Sequence, residues 1–304
     1  MAWITGIGAN VFDTLIMMSD FPREDTKQEV NRIFSSGGGP CATGLVAAAK
    51  LGVKASWLGF LADDFGGQFL RNDFIKYGVG TDGIEIISHC SSFSSHVILN
   101  AQTGSRTCLL HRGTLPKFRL NDCHRDMIRQ SDLLLLDGNE LNAAIEAAEL
   151  ARHSETIVLL DAGRKYNGIE SLLPLVDYLI PSEEFALDVT GKTSVEHAAQ
   201  SLFESYHPKA VAITCGTRGG VCFDGSQTIS WPAFPVNTVD TNGAGDVFHG
   251  AFAWALTEKY SLRRCCLFAS ATSAIKCTRL GARYGTPLLS DVLHFMKERD
   301  TNEL

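Results

Sequence analysis

The 304-residue sequence lacks any run of 18 apolar residues, any basic amino-terminal leader and any cluster of basic residues. The first absence argues against a membrane-spanning helix, and the second argues against a secretory signal. The third, together with a formal net charge of −7, argues against a surface that binds nucleic acid. We therefore expect a cytoplasmic protein that has neither a membrane nor a nucleic acid as its partner.

Two common cysteine and glycine motifs are also missing. The nine cysteines include no C-x-x-C pair, so we expect reduced thiols and neither disulfides nor a zinc cluster. The string G-x-x-x-x-G-K-[ST] does not occur, which excludes a P-loop enzyme. The string GVGTDG at residues 78–83 follows a helical pattern, whereas a dinucleotide motif follows a strand, so we interpret it as a plain connection.

Short apolar runs alternate with helical patterns along the chain, in a composition that is ordinary for a globular protein. The patterns predict strands at 4–8, 55–61, 133–136, 156–160, 178–180 and 210–214, and helices at 40–51, 65–76, 122–129, 139–152, 194–206, 245–258, 261–277 and 290–297. Uninterrupted apolar strands such as LLLL suit a sheet that is covered on both faces. The alternation predicts an α/β fold with a mostly parallel sheet flanked by helices.

Two regions, at about residues 11–35 and 88–112, depart from this alternation. They contain consecutive strand patterns with no helix between them, and the second has a hairpin pattern with its turn near Thr103-Gly104. We expect these regions to form a small β-sheet that acts as a lid on one domain spanning residues 1–304.

The stretch VDTNGAGDVFHGAFAWAL, residues 239–256, places a glycine-rich turn before an apolar helix. Gly243, Ala244 and Gly245 leave backbone N–H groups unobstructed, and the helix dipole adds about half a positive charge there. Such a turn can hold an anion. Asp246 can then either cap the helix or serve as a base beside the anion, and the spacing leaves both roles open.

A second glycine-rich stretch, SSGGGPCATGLVAAAKLG at residues 35–52, also precedes a helical pattern. Glycines allow a ligand to approach the backbone, and free N–H groups at a helix start can bind polar groups. The same residues suit a tight turn into a closely packed helix. His249 is open to two interpretations as well, a packed helical histidine or a catalytic one, because it shares a helix face with Asp246.

These motifs resemble those of a known family. DTNGAGD resembles the D-T-x-G-A-G-D signature of ribokinase-like, or PfkB-type, sugar kinases, and GGGPCATGLVAAAKLG resembles the second signature of that family. GIGANVFD, VAITCGTRGG and FASATSAIKCTRLGARYGTP resemble further family segments in the same order, so the resemblance covers essentially the whole chain. GGGPCAT, GAGDVFHGA and IKCTR look most similar to the sulfofructose-kinase-like branch of bacterial sugar kinases.

The resemblance implies a doubly wound α/β core with a small β lid. It also implies ATP-dependent phosphorylation of a hydroxyl on a sugar or sugar derivative, with Mg²⁺ as a cofactor. Asp246 would be the general base, and the backbone of Gly243, Ala244, Gly245 and Asp246 would hold the transferred phosphoryl group. The sugar would contact Asp13, Gly38, Gly39 and Lys27, and Thr43 stands where the family usually has asparagine. The nucleotide would lie against Thr214, Gly216, Gly219, Ser273 and Cys277.

The residues that would bind metal ions follow the family less closely. The N-x-x-E motif that helps to organise Mg²⁺ in the family falls at PSEEF, where Ser182 replaces the asparagine and Phe185 replaces the glutamate. Glu183 is the predicted substitute, although it can equally be an exposed acidic helix start. Asp240 and Asn242, with carbonyls of the 279–285 loop, match places where some relatives bind a monovalent cation such as K⁺. Asp240 can instead merely fix the turn.

Arg112 and Asn139 complete the predicted substrate site, which already includes Lys27. Lys27 and Arg112 would suit a substrate with an anionic group if they point inward, and are ordinary surface charges if they do not. Asn139 follows an apolar strand, at the edge where ligands usually bind to open α/β sheets. Exposed lid strands can pair between copies, so we expect a homodimer. Two other functions stay open, a non-catalytic sugar or nucleotide sensor and a nucleoside kinase.

Overall fold

Alternating strands and helices make up most of the chain in a computed structural model, which describes residues 2–102 and 106–299. The strands in this part of the chain are β1 (Trp3–Ile7), β2 (Val11–Met18), β3 (Arg32–Gly38), β4 (Lys54–Trp57), β5 (Gly59–Ala62), β6 (Val79–Gly80), β7 (Ile84–Ile87), β8 (Ser94–Asn100), β9 (Arg106–His111), β10 (Leu133–Leu136), β11 (Ile157–Ala162), β12 (Tyr178–Pro181), β13 (Ala210–Thr214), β14 (Gly220–Phe223) and β15 (Thr228–Trp231). The helices are α1 (Pro40–Lys50), α2 (Phe65–Tyr77), α3 (Asp122–Gln130), α4 (Leu141–Arg152), α5 (Glu183–Thr190), α6 (Val195–Tyr206), α7 (Ala244–Thr257), α8 (Leu262–Cys277), α9 (Ala282–Gly285) and α10 (Leu289–Lys297).

The large sheet has the strand order β15-β14-β13-β12-β11-β10-β1-β4-β6. Its strands from β13 to β6 pair in parallel, whereas β14 pairs antiparallel with both of its neighbours, β13 and β15, at one edge. Buried apolar residues form two clusters, one including Leu45, Phe252 and Phe268 and the other including Ile128 and Leu202. This architecture confirms the predicted α/β fold, and it brings the carboxyl ends of the parallel strands to one edge of the sheet.

Helices α1 and α7 pack closely together beside this edge. Gly44 of α1 meets Gly250 of α7, where an added Cβ atom on Gly250 would lie 2.0 Å from the Gly44 carbonyl oxygen. Only a glycine permits backbones to approach so closely. The two glycine-rich stretches of the sequence therefore start neighbouring helices.

The small sheet has the order β3-β2-β8-β9, which confirms a separate sheet in the two regions that lack helices. β2 pairs antiparallel with β3 and parallel with β8, and β8 pairs antiparallel with β9. The predicted turn near Thr103-Gly104 lies outside the described residues. Arg106 and Arg112, at the two ends of β9, hydrogen-bond to Thr241 and Asn139, so the small sheet reaches residues near the edge of the large one.

Several elements differ from the predictions. The single strand predicted at 55–61 is two strands, β4 in the large sheet and β5, which pairs with β7 in a separate two-stranded sheet. The break coincides with Gly59, where an added Cβ atom would lie 2.4 Å from the Trp57 ring. The predicted elements did not include α5, α9, β14 and β15. Short elements of this kind leave little room for a periodic pattern.

Two expectations from composition can be compared with the structure. All nine cysteines are free in the structure, and the reduced state of the thiols stays a prediction. Among the residues that the structure describes, no helix is both long enough and apolar enough to cross a membrane.

Candidate active site

Helix α7 begins at the edge of the large sheet without a side-chain cap. Its N-cap residue is Gly243, at a φ of +75°, and the Asp246 side chain does not cap the helix. Burial, followed by the nearby charge of Asp161, raises the pKa of Asp246 to about 7. A carboxyl group with such a pKa can accept a proton near neutral pH. The geometry therefore favours the role of a base over that of a cap.

The first N–H groups of α7 differ in whether they have an acceptor. The Ala244 N–H donates to the Thr241 carbonyl at 3.2 Å, and the Val247 N–H donates to the Gly243 carbonyl at 2.9 Å. Within residues 2–102 and 106–299, the N–H groups of Gly245 and Asp246 have no acceptor. The donors left for an anion are these two, and the Ala244 N–H, which the resemblance had included, is already engaged.

Two buried aspartates belong to the neighbouring strand ends. Asp137 follows β10 and accepts hydrogen bonds from the backbone N–H groups of Ala9, Cys41 and Asn139, at 2.8, 3.1 and 2.9 Å. Burial raises the pKa of Asp137 to about 6. Asp161 lies in β11 and is only 5% exposed. Both carboxylates raise the pKa of Asp246, so the three groups act on one another through their charges.

His249 neutralises part of this negative charge. Its Nδ1 atom lies 3.0 Å from Asp161 Oδ2, a close ion pair whose angle is poor for a hydrogen bond. Its Nε2 atom lies 3.0 Å from the Ile180 carbonyl oxygen. Burial lowers the pKa of the imidazole, but Asp161 outweighs burial and the pKa of His249 is raised. Oxygen acceptors near both ring nitrogens favour the protonated form of His249, in the same direction as its raised pKa.

Asp13 lies on the side of the small sheet. It is buried in β2 and accepts a hydrogen bond from Ser95 Oγ at 2.6 Å. An added Cβ atom on Gly38 would lie 2.0 Å from Asp13 Oδ2, so the predicted sugar residues Asp13 and Gly38 are in contact. Burial raises the pKa of Asp13 to about 6. Gly39, the N-cap of α1, has a φ of +93° and touches the Ala9 backbone.

Arg283 connects three segments around Asp13 and Gly38 through hydrogen bonds. Its guanidinium is almost wholly buried and donates to Asp73 Oδ2, Asn10 Oδ1 and the Gly38 carbonyl, at 2.8, 2.7 and 2.6 Å. Asn10 is also buried, and its Nδ2 atom has no hydrogen-bond partner among the described residues. A buried amide donor without an acceptor is costly, which makes Asn10 a candidate ligand-binding residue.

A cavity of about 570 Å³ opens between the small sheet and the strand ends. Asn10, Phe93, Arg112, Asn139 and Tyr166 are among the residues that line it. Arg112 donates to Asn139 Oδ1 at 2.9 Å and lies over the Phe93 ring, 4.8 Å from its centre. The structure therefore brings the predicted residues Arg112 and Asn139 together in one wall.

Two other predicted sugar residues lie elsewhere. Lys27 is exposed in the segment between β2 and β3, and it does not line the cavity. Thr43 is fully buried in α1, and its hydroxyl has no hydrogen-bond partner among the described residues.

The residues predicted to bind the nucleotide lie on the other side of α7. Gly216 and Gly219 bracket a short 3₁₀ turn after β13, at φ values of +58° and +83°, and Thr214 ends that strand. Ser273 Oγ donates to the Ala244 carbonyl at 2.8 Å, so α8 supports the turn that precedes α7. Cys277, at the end of α8, is half-buried, and its carbonyl accepts from the Asp240 N–H at 3.1 Å.

The predicted Mg²⁺ residue has another partner. Glu183 lies in the first turn of α5, after the N-cap Ser182, and its carboxylate forms an ion pair with Arg218 of the 3₁₀ turn. Ser182 Oγ accepts from the Phe185 N–H at 3.1 Å, so the residue in place of the family asparagine is a helix cap. In the part of the chain that the structure describes, no group of three or more acidic, histidine or cysteine side chains could hold a metal.

Asp240, predicted to bind a monovalent cation with Asn242, already contacts a cation of the chain itself. Its Oδ1 and Oδ2 atoms accept from the N–H groups of Asn242 and Gly281, both at 2.8 Å. The ammonium group of Lys276 donates to the Asp240 carbonyl at 2.7 Å.

Five residues of this site were not predicted, namely Asn10, Asp137, Asp161, Lys276 and Arg283. Asp137 and Asp161 had a usable signal, because each ends an apolar run in the sequence, as in LLLLD and IVLLD. Lys276 and Arg283 had none, since a charged residue in a helical pattern is usually exposed.

Comparisons with known proteins bear on the family and the fold of this chain. A model of the pfkB family carbohydrate kinases matches residues 7–289. A ribokinase of Bacillus subtilis is 28% identical over 260 residues, which cover 84% of this chain and 86% of that protein. The structure of Arabidopsis thaliana ribokinase complexed with ribose and ATP has a TM-score of 0.87 at 24% identity, over 98% of this chain and 99% of that one.

A structure from Escherichia coli in complex with ATP and Mg²⁺ has a TM-score of 0.84 at 21% identity, over 98% of this chain and all of that one. At these identities the two structures establish the fold, and the family model establishes the membership. Because that model spans nearly the whole chain, from β1 to α10, the protein belongs to the pfkB family of carbohydrate kinases.

Proposed function

We propose that this kinase transfers the γ-phosphoryl group of ATP to a hydroxyl of a sugar or sugar derivative, with Asp246 as the general base. One observation carries the proposal. Asp246 is not used as a helix cap, its pKa is raised to about 7, and it lies beside N–H groups of α7 that have no acceptor among the described residues. A base next to an anion hole is what activation of a hydroxyl requires.

The proposed reaction uses these groups in one step. The carboxylate of Asp246 takes the proton of the sugar hydroxyl, while the oxygen of that hydroxyl forms a bond to the γ-phosphorus of ATP. The bond to the β-phosphate oxygen breaks, and its electron pair leaves with ADP. The N–H groups of Gly245 and Asp246 receive the negative oxygens of the transferred group, and the helix dipole adds to their effect. The proton on Asp246 is released to solvent afterwards.

The sugar is proposed to lie in the cavity beneath the small sheet. Asn10 and Asn139 offer hydrogen-bonding groups on its walls, and Tyr166 and Phe93 offer apolar surface. This mixture of a few polar groups with rings is typical of small-molecule sites. Asp13 of β2 does not line the cavity, and its proposed contact with the sugar rests on the family resemblance. Closure of the small sheet over the sugar would exclude water and limit hydrolysis of ATP.

ATP is proposed to lie along the carboxyl-terminal half of the site. Gly216 and Gly219 expose backbone at the 3₁₀ turn, and Ser273 and Cys277 belong to the helix behind the α7 turn. Mg²⁺ would neutralise phosphate charge, and a site with one carboxylate is compatible with it because this ion keeps several waters and binds largely to the phosphates. The carboxylate of Glu183 forms an ion pair with Arg218 of the 3₁₀ turn. This ion pair would have to break for Glu183 to bind Mg²⁺.

Arg112 supports a narrower proposal about the substrate. It lines the cavity wall and is joined to Asn139, whereas Lys27 does not line the cavity. A guanidinium there suits a phosphate, sulfonate or carboxylate on the sugar. A closer kinship with sulfofructose kinases stays a prediction.

An assay of ADP release tests the proposed function. Neutral aldoses and ketoses should be compared with analogues that carry a phosphate, sulfonate or carboxylate group, each with ATP and Mg²⁺. We expect sugar-dependent ADP release, and a preference for anionic analogues that Arg112→Ala abolishes and the matched change Lys27→Ala preserves. ATP binding without ADP release across the whole panel would favour a sensor, and an unchanged preference in Arg112→Ala would discard the anionic substrate.

The predicted homodimer remains a proposal that the small sheet can support. β9 is an edge strand whose residues are exposed along its length, and Leu109 and Leu110 are more than half exposed. Strand edges with exposed apolar side chains tend to pair with another chain. Sedimentation of the wild type and of a Leu109→Lys variant should show a dimer that the variant loses; a monomeric wild type would contradict this proposal.

A further inference from the structure

The place predicted for a monovalent cation contains the side chain of Lys276. This residue lies at the end of α8 and is 0% exposed. Its Nζ atom is 2.7 Å from the Asp240 carbonyl oxygen and 3.7 Å from Asp240 Oδ2. A buried ammonium is tolerated only where oxygen atoms and an opposite charge compensate for lost water, and Asp240 supplies both.

The oxygens of Asp240 are committed to other partners. Oδ1 accepts from the Asn242 N–H, and Oδ2 accepts from the Gly281 N–H. The Lys276 ammonium lies against both the carbonyl oxygen and Oδ2 of Asp240, so a K⁺ ion that bound the same oxygens would lie beside a positive charge. The charge already present therefore does not fit a K⁺ ion at Asp240.

Asp240 also connects the segments that carry the proposed anion hole. The N–H groups of Val239 and Asp240 donate to the Cys277 carbonyl at 2.8 and 3.1 Å, which ties the turn to the end of α8. Gly281 belongs to the loop after α8, and Gly243 packs against Ala282, where an added Cβ atom would lie 2.5 Å from the Ala282 Cβ. Lys276 therefore sits where α8, this loop and the start of α7 meet.

We propose that Lys276 is an internal monovalent cation. Its ammonium group holds Asp240, and through it the Gly243–Asp246 turn, so that the kinase has no need of K⁺. The part of this inference that concerns catalysis rests on the proposed anion hole, whereas the part that concerns the cation itself does not. Lys276 is a positioning residue, because it acts on the turn through Asp240.

The test compares the wild type with Lys276→Ala and Lys276→Met. Alanine removes the charge and leaves space for an ion, whereas methionine removes the charge and fills most of the space. The melting temperature and the kcat of ADP release with the best sugar of the panel are measured in KCl, NH₄Cl and choline chloride at equal ionic strength. Choline is too large to enter and controls for salt.

We expect the wild type to give the same melting temperature and kcat in all three salts. In choline, Lys276→Ala should melt lower and lose activity by about tenfold or more, which is less than the roughly 10²–10³-fold cost of removing a hole donor outright. KCl and NH₄Cl should restore both quantities in Lys276→Ala but neither in Lys276→Met. A merely structural lysine would not give rescue by a small cation in one variant alone.

Three results would overturn the inference. They are activation of the wild type by KCl over choline, wild-type kcat and melting in Lys276→Met without a cation, and a folded Lys276→Ala that ignores both small cations. If Lys276→Ala does not fold, the comparison of the wild type with Lys276→Met in the three salts still tests the inference. The melting temperatures are measured without a sugar, so they test the cation role of Lys276 even if the proposed kinase reaction is wrong.

Discussion

Helices α1 and α7 begin side by side near one edge of the large sheet, and their starts can be compared directly. Each follows a glycine in the left-handed region, Gly39 at +93° and Gly243 at +75°, and neither has a side-chain cap. In α1, the Cys41 N–H donates to Asp137. In α7, the Gly245 and Asp246 N–H groups have no acceptor within the described residues. Of two similar helix starts, the one without an internal acceptor is the better anion site.

Both starts are also held by a buried cation from the carboxyl-terminal part of the chain. Arg283 donates to the Gly38 carbonyl just before α1, and Lys276 donates to the Asp240 carbonyl just before α7. A carbonyl fixed by a buried charge keeps the following turn in one conformation. The difference between the two starts therefore lies in their acceptors, Asp137 for α1 and a ligand for α7.

The largest expected effect is on catalysis at α7. Asp246→Asn should lower kcat by about 10²–10⁴-fold, the usual contribution of a general base. ATP binding, measured by calorimetry, should persist, because the N–H groups of the turn remain. The melting temperature at pH 8 should not fall, since asparagine removes a charge that burial disfavours. A kcat close to that of the wild type would remove Asp246 from the mechanism.

The next effect tests the geometry of the α7 turn. Gly243→Ala would place a Cβ atom 2.5 Å from that of Ala282, whereas Gly191→Ala adds one in open space at a similar φ of +65°. Both changes should cost about 1 kcal/mol of backbone strain. Only Gly243→Ala should also lower kcat, by about 10²-fold, because the hole donors move. Equal kcat values for the two variants would show that the turn is not an anion hole.

A third effect should appear as stability rather than rate. Asp137→Ala leaves the N–H groups of Ala9, Cys41 and Asn139 without their acceptor, which should lower the free energy of unfolding by about 1–3 kcal/mol. Asp246→Ala should cost less, because its carboxylate does not cap its helix. Urea unfolding of the two variants measures the difference. The reverse order of stability would mean that the comparison of the two helix starts is wrong.

The smallest effect concerns pH. The proposed base Asp246 acts in its ionised form and its pKa is raised to about 7, so the proposal predicts that kcat/KM rises with pH through this value. Asp161 raises that pKa and His249 lowers it. Asp161→Asn should therefore move the acid limb of the profile to lower pH, and His249→Gln should move it to higher pH, each by up to about one unit.

Stability should change with pH in the opposite sense. Because the folded pKa of Asp246 is raised, its neutral form is favoured in the folded protein. The stability that this provides is present below the unfolded pKa, near 3.8, and is lost as pH rises towards about 7. Asp246→Asn should weaken this part of the pH dependence in urea unfolding.

In the kinetic profile, shifts of the acid limb in the same direction for Asp161→Asn and His249→Gln would contradict the proposed charge interactions.

Much of the fold could be predicted from local patterns. LLLL at Leu133–Leu136 and the run Ala210–Thr214 are strands with the predicted bounds, because a strand buried on both faces is a continuous apolar run. The strand predicted at 55–61 was wrong, because the chain leaves the large sheet after Trp57 and pairs with β7 from Gly59, where the Trp57 ring leaves no room for a side chain. Glycines mark positions at which a chain can turn, but contacts with other residues determine which of these positions become turns.

The site was predicted less completely. Asp13, Gly38, Arg112, Asn139 and Asp246 could be singled out from motifs and strand ends. Glu183 could also be singled out, but its ion pair with Arg218 joins residues 35 positions apart and has no local pattern. Such ion pairs depend on which loops the fold brings together. A short stretch of sequence does not show which distant residue will lie beside it.

By itself, the sequence determined the alternation of strands and helices, the two glycine-rich helix starts and the aspartate at the second of them, because these depend on residues close together in the chain. The tertiary structure alone decided that Asp137 closes α1, that α7 stays open, and that Lys276 and Arg283 are buried beneath the two turns. These contacts join residues 36 to 245 positions apart, and burial of a charge is favourable only where folding brings its partner to it.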